Sequence, residues 1–146
     1  MIINALLQEK ARIAKVMFAL RHLDKIVKHE NGKEKRVPNV MTQSKIANKM
    51  NLTFQQIQKY EKAANEISSS KLFYLCKIFG YDINKFFAGN PRDLLGDINH
   101  TKHEMILKKW NEIDLNIQEE QKLQNKYAPM LPKLEAEMSY QNTFKG

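Results

Sequence analysis

The chain has 146 residues and a formal net charge of +8, with 42% hydrophobic and 27% charged residues. That balance suits one globular domain, or a small domain with an appendage, and no apolar run approaches the roughly 18 residues that a membrane span requires. The single cysteine, Cys76, admits no internal disulfide, and the opening Met1–Leu7 lacks the form of a signal peptide, so a cytoplasmic chain without a membrane role is expected.

In chain order, residues 4–29 read as one long helix. Leu6, Leu7, Ile13, Met17, Leu20 and Val27 recur at three-, four- and seven-residue steps, and Gly32 stands where such a helix should stop. Residues 30–40 are polar, basic and interrupted by Pro38, and read as an exposed loop. A short helix over 43–50 starts from the N-cap Thr42, with Met41 and Ile46 as its hydrophobic staple. Asn51 suits the left-handed residue that ends it. Thr53-Phe54-Gln55-Gln56 is a capping box, with Leu52 and Ile57 as staple, and opens a helix to about Lys62. A third segment runs from the N-cap Ser68 to Gly80, and a short fourth from Ile83 to Phe87 behind Asp82.

Gly89-Asn90-Pro91 marks a boundary between residues 1–90 and a helical extension, 91–146. In the extension Thr101-Lys102-His103-Glu104 has the form of a capping box. Ile106, Trp110, Ile113 and Ile117 form a helical stripe, which should fade before Pro129. A last short helix is expected between Lys133 and Tyr140. With no repeat and no alternating strand pattern, the chain reads as all-α. Its charge is uneven: +5 over residues 1–41, +4 over 42–90 and −1 over 91–146. The front of the molecule is the part suited to an acidic partner, although a solvated lysine-rich surface would look the same.

The informative joint lies between the helices at 43–50 and 54–62. Ala47 is small enough for two helices to cross closely over a three-residue turn, Asn51 tolerates a positive φ, and Leu52 and Ile57 fill the wedge beneath. One face of the second helix is then left outside: Phe54, Gln55, Gln58, Lys59 and Lys62, with no acidic group among them. Glutamine offers a bidentate pair to adenine, lysine reaches guanine or phosphate, and phenylalanine can press on a thymine methyl.

The stretch from Thr42 to Glu61 resembles the helix-turn-helix of the Cro/phage-repressor (XRE) family, and the resemblance continues through Leu72, Leu75, Ile78, Phe79, Ile83 and Phe86. It covers roughly residues 10–88 and implies a five-helix phage-repressor-like domain, here with a long first helix. It also implies roles. Phe54, Gln55 and Lys59, with Gln58 nearby, match base-reading positions. Gln43, Thr53 and Lys62 match phosphate contacts. Glu61 matches a structural glutamate that pairs with an arginine of the first helix, here Arg21. Three departures stand out: the long basic insertion between Arg21 and Thr42 (with Lys33, Lys35 and Arg36), Phe54 where a polar reader is common, and Ala63 where a glycine commonly ends the recognition helix. The last suggests that this helix ends differently, near Asn65.

The function expected on this basis is a sequence-specific DNA-binding regulator, most simply a repressor, acting as a homodimer on a palindromic operator in double-stranded DNA. The alternative is an antitoxin-type interaction protein that controls its own promoter and binds a partner through 91–146. The stripe at 106–117 permits either folding back on the first helix or pairing with another chain, and pairing is the preferred expectation. No cofactor is indicated, and the sequence leaves any small-molecule effector open. No paired carboxylates, nucleophile set, glycine-rich phosphate loop or metal quartet suggests catalysis. His100, His103 and Glu104 lie close together but lack metal-ligand spacing. Tyr60 and Cys76 read as core residues.

Overall fold

In a computed structural model of the chain, residues 3–128 are described. The helix expected between Lys133 and Tyr140 lies outside them. Helix α1 (Ala5–Leu20) starts where the Asn4 side chain accepts from the Leu7 N–H. It ends nine residues earlier than its periodicity suggested. At its end the His22 N–H turns back to Ala19 O (2.9 Å), and Arg21 is the C-cap.

The expected helix end and loop are instead an antiparallel hairpin, β1 (Lys25–Lys28) and β2 (Glu34–Val37). The β-branched Ile26, Val27 and Val37 favour extended backbone. Glu30-Asn31-Gly32 supplies a three-residue connection with Gly32 at φ +78°, the left-handed position such loops require. Val27 fell on the helical period of α1 only by its distance from Leu20. The other regular elements among the described residues are helical, and this hairpin is their one sheet.

Four helices follow with the caps that the sequence predicts. α2 (Gln43–Met50) and α3 (Phe54–Glu61) are capped by Thr42 and Thr53, α4 (Ser69–Phe79) lies between Ser68 and a left-handed Gly80, and α5 (Ile83–Ala88) is capped by Asp82. Two 3₁₀ turns, Pro91–Asp97 and His100–Lys102, lead into α6 (His103–Tyr127). The capping box expected at Thr101–Glu104 does not form. The preceding turn runs straight into α6, Lys102 occupies the N-cap without a side-chain bond, and the Thr101 hydroxyl donates to Asn99 Oδ1 instead.

Helix α1 is the axis of the core. Residues Val16–Leu20 are all buried, because α3, α5, the Pro91–Asp97 turn and α6 pack around it. The apolar stripe of α6 is spent inside the chain: Ile106, Trp110, Ile113 and Ile117 are buried in the same core as α1. Polar contacts fix the register of the two helices. Trp110 Nε1 donates to Lys15 O (3.0 Å), Lys15 pairs with Asp114 and Lys10 with Glu120, and the Asn4 N–H donates to Gln121 Oε1. The preference for pairing this stripe with another chain is therefore corrected. An amphipathic stripe records that it must be covered, and α1 was the nearer apolar surface.

Candidate nucleic-acid interface

The joint between α2 and α3 forms as its residues dictate. Asn51 adopts φ 54° and ψ 44°, a left-handed conformation that asparagine tolerates better than most side chains. The Leu52 N–H closes back on Ala47 O (2.9 Å). Ala47 and Ile57, on either side of the crossing, are buried. At the start of α3 the capping box is complete: the Thr53 N–H donates to Gln56 Oε1 (2.9 Å) and the Gln56 N–H to Thr53 Oγ1 (3.2 Å).

A buried ion pair fixes this unit to α1. Arg21 Nε and Nη2 donate to the two Glu61 oxygens at 2.6 and 2.7 Å. Arg21 Nη1 donates to Met41 O, just ahead of α2, and its guanidinium lies 5.2 Å from the Phe18 ring centroid. Gln43 joins the group by donating Nε2 to Glu61 Oε1 (2.9 Å). The residue expected as a phosphate contact thus helps to hold the buried carboxylate, a contact that only the tertiary arrangement discloses.

What α3 leaves outside is the face the sequence predicts. Phe54, Gln55, Lys59 and Lys62 are exposed and Gln58 is half-buried. Glu61, the helix's only carboxylate, is buried and neutralised, so the exposed face combines amides, cations and an aromatic ring. Thr53 is exposed at the helix start. The far end closes differently from the expectation of a helix running toward Asn65. α3 stops at Glu61, and Ala63 itself takes the left-handed turn at φ 58°. Asn116 of α6 donates Nδ2 to Lys62 O (3.3 Å).

The other candidates have structural roles. Tyr60 is buried, with Lys71 Nζ 3.4 Å from its hydroxyl. Cys76 is buried, and burial together with Asp82 raises its thiol pKa. His103 Nε2 lies 2.7 and 3.0 Å from Leu95 O and Ile98 O, and among the described residues no three His, Cys, Asp or Glu side chains gather as metal ligands. No described helix is long and apolar enough to cross a membrane. Sequence reasoning missed a recess of about 330 Å³ beside α2, where Asn39, Val40 and Met41 run along Lys45, Asn48 and Lys49. It missed the hairpin as well, for which the Asn31-Gly32 turn signal was the clue.

Residues 33–86 match a family described as helix-turn-helix. A transcriptional regulator in the ATPase CF(0) region of Rhodospirillum rubrum is 34% identical over 77 residues, which is 50% of this chain and 70% of the relative. An HTH-type transcriptional regulator of Rickettsia conorii is 31% identical over 98 residues, 66% of this chain and 78% of the relative. A third, from Sinorhizobium medicae, is 40% identical over 53 residues, and the chain spans only 38% of its length. No solved structure matches the chain.

Proposed function

This chain belongs to the Cro/C1-type (XRE) helix-turn-helix family and is a transcriptional regulator with a helix-turn-helix DNA-binding domain; we propose that it acts as a repressor, as a dimer on a palindromic operator read by α3. The observation that carries this reading is the exposed, carboxylate-free face of α3, mounted on α1 through Arg21 and Glu61. In the major groove Gln55, Gln58 and Lys59 offer hydrogen bonds to base edges and Phe54 an apolar contact. Gln43, Thr53 and Lys62 meet the backbone and set register. The regulator is not an enzyme: a bound dimer excludes other proteins from the promoter. Two-fold symmetry places the half-sites about 34 Å apart.

The antitoxin alternative drew on an apolar stripe free to receive a partner. That stripe is buried on α1, so nothing described favours the alternative. The test is fluorescence anisotropy of the purified full chain on DNA from upstream of its own gene, with scrambled duplex as competitor, at two salt concentrations. Binding should survive the competitor and weaken steeply with salt. Gln55→Ala should relax base preference, whereas Lys62→Ala should weaken all sequences alike. A Gln55→Ala protein with unchanged preference would refute the placement of the recognition helix.

A further inference from the structure

The hairpin between α1 and α2 sorts its charges by face. Its register pairs Lys25 with Val37, Ile26 with Arg36, Val27 with Lys35 and Lys28 with Glu34, and the His29 N–H donates to Lys33 O across the turn. Side chains alternate along a strand, so the odd-numbered residues share one face: Lys25, Val27, His29, Lys33, Lys35 and Val37. That face carries no carboxylate. The even-numbered face carries Glu34, and its two cations are already matched. Lys28 lies 3.9 Å from Glu34, and Arg36 lies 3.2 Å from Asp24 and donates to Gly96 O. Among the described residues, Lys25, Lys33 and Lys35 have no acidic partner within 4.0 Å.

The hairpin is also mounted firmly. Arg36 ties its base to the Pro91–Asp97 turn, and the Asp24 N–H donates to Asp97 O (2.9 Å). The segment that follows β2, residues 39–41, passes along Lys45 and Lys49 of α2, and the Met41 N–H donates to Arg21 O, so the base of the hairpin is tied to the start of the helix-turn-helix unit. Long exposed cations with no internal partner, next to a unit that binds a polyanion, are what phosphate neutralisation requires. Apart from His29 beside the turn, the face has no amide or aromatic side chain with which to read or stack on a base.

We infer that the odd-numbered face of the hairpin, through Lys25, Lys33 and Lys35, is a second DNA contact that grips the sugar–phosphate backbone flanking the bases read by α3. This rests on the reading of α3 as recognition helix. The contact adds affinity and salt dependence without adding base preference.

The test compares the full-length protein with a Lys25→Gln/Lys33→Gln/Lys35→Gln variant on a mixed-sequence duplex of about 30 base pairs, long enough for the half-site spacing and its flanks. Lys28→Gln serves as the even-face control and Gln55→Ala as the α3 control. The plot of log K against log salt should become shallower by about 0.9 for each lost phosphate contact, or about 2.7 for each triply substituted protomer and about 5.4 for the bound dimer. The control at Lys28 should leave the slope as in wild type. Discrimination between upstream and scrambled DNA should be the same in the triple variant as in wild type. The three residues are exposed, and an unaltered thermal melt confirms that the variant is folded. An unchanged slope in the folded triple variant overturns the inference, and a loss of preference in Gln55→Ala would then leave the reading of α3 standing. Unchanged DNA binding with an altered sedimentation coefficient overturns it in favour of a second copy of the chain on this face. A wild-type protein that binds no duplex at low salt overturns both readings together.

Discussion

Removing one member of the Arg21–Glu61 pair should be among the most damaging single changes in the molecule, and the structure says which member matters more. Glu61 is 1% exposed and the Arg21 side chain 9%, so each partner has given up its water for two short, parallel hydrogen bonds. Breaking such a pair costs about 3–5 kcal/mol, because the survivor is left buried and unneutralised. The survivors are not equivalent. After Glu61→Leu, Arg21 keeps Met41 O, the face of Phe18 and a little solvent. After Arg21→Met, Glu61 keeps only the Gln43 amide. Arg21→Met should therefore lie near the top of that range and Glu61→Leu near its foot. For a chain of this size the upper figure corresponds to a fall in Tm of roughly 10–20 °C. The double variant Arg21→Met/Glu61→Leu should recover most of the loss, because it removes both charges and leaves apolar groups of similar volume. Circular dichroism melts and urea midpoints of the three variants measure all of this. A Tm within about 3 °C of wild type for Arg21→Met, or a double variant less stable than either single one, would refute the reasoning.

Three further predictions follow from the core and the caps. His22 is buried against Phe18 beside Arg21 and Lys102, and burial first, then these two cations, lower its pKa from 6.5 to about 4. The unfolded chain takes up the proton near 6.5, so the stability tied to the neutral ring is complete above that pH. It is lost as pH falls toward 4, by up to about 3 kcal/mol; urea midpoints at pH 7.5 and 5 should separate for wild type by more than for His22→Leu, and equal separations would disprove it. Trp110→Ala should cost about 3–5 kcal/mol and lower the single unfolding transition of the whole chain, whereas a melt unchanged over the α1–α5 signals would mean that α6 is an independent appendage. Thr53→Ala removes half of a capping box and should cost about 1 kcal/mol in the urea midpoint, with Gln56→Ala smaller and the two less than additive.

Much of the site was legible because its signals are local. Thr42, Thr53, Ser68 and Asp82 are caps whose chemistry acts within three residues, and Asn51 bends the chain by its own side-chain tolerance. The exposed face of α3 followed from the period of the helix once its ends were known. The hairpin was misread because Val27 continued the stripe of α1 by chance. Ile26-Val27 and Asn31-Gly32 carried the stronger, shorter-range signal. Partner choice was not legible for the stripe of α6, since the pattern is the same whichever apolar surface covers it. The pairing of Arg21 with Glu61, forty positions apart, came through a family likeness and not from the residues themselves.

Ala63 shows how far tertiary structure overrides local preference. A left-handed alanine costs about 1–2 kcal/mol relative to its ordinary conformation, which is why the sequence pointed to a later end for α3. The chain nevertheless turns there, with the Ala64 N–H bonded to Lys59 O, the Ala63 side chain buried and Asn116 holding Lys62 O from α6. Running α3 on toward Asn65 would give up that buried methyl group and that contact. The end of α3 is therefore set in part by a residue fifty-four positions away. Through that contact α6, which carries no part of the exposed face of α3, helps to decide where Lys62 stands at the end of that helix.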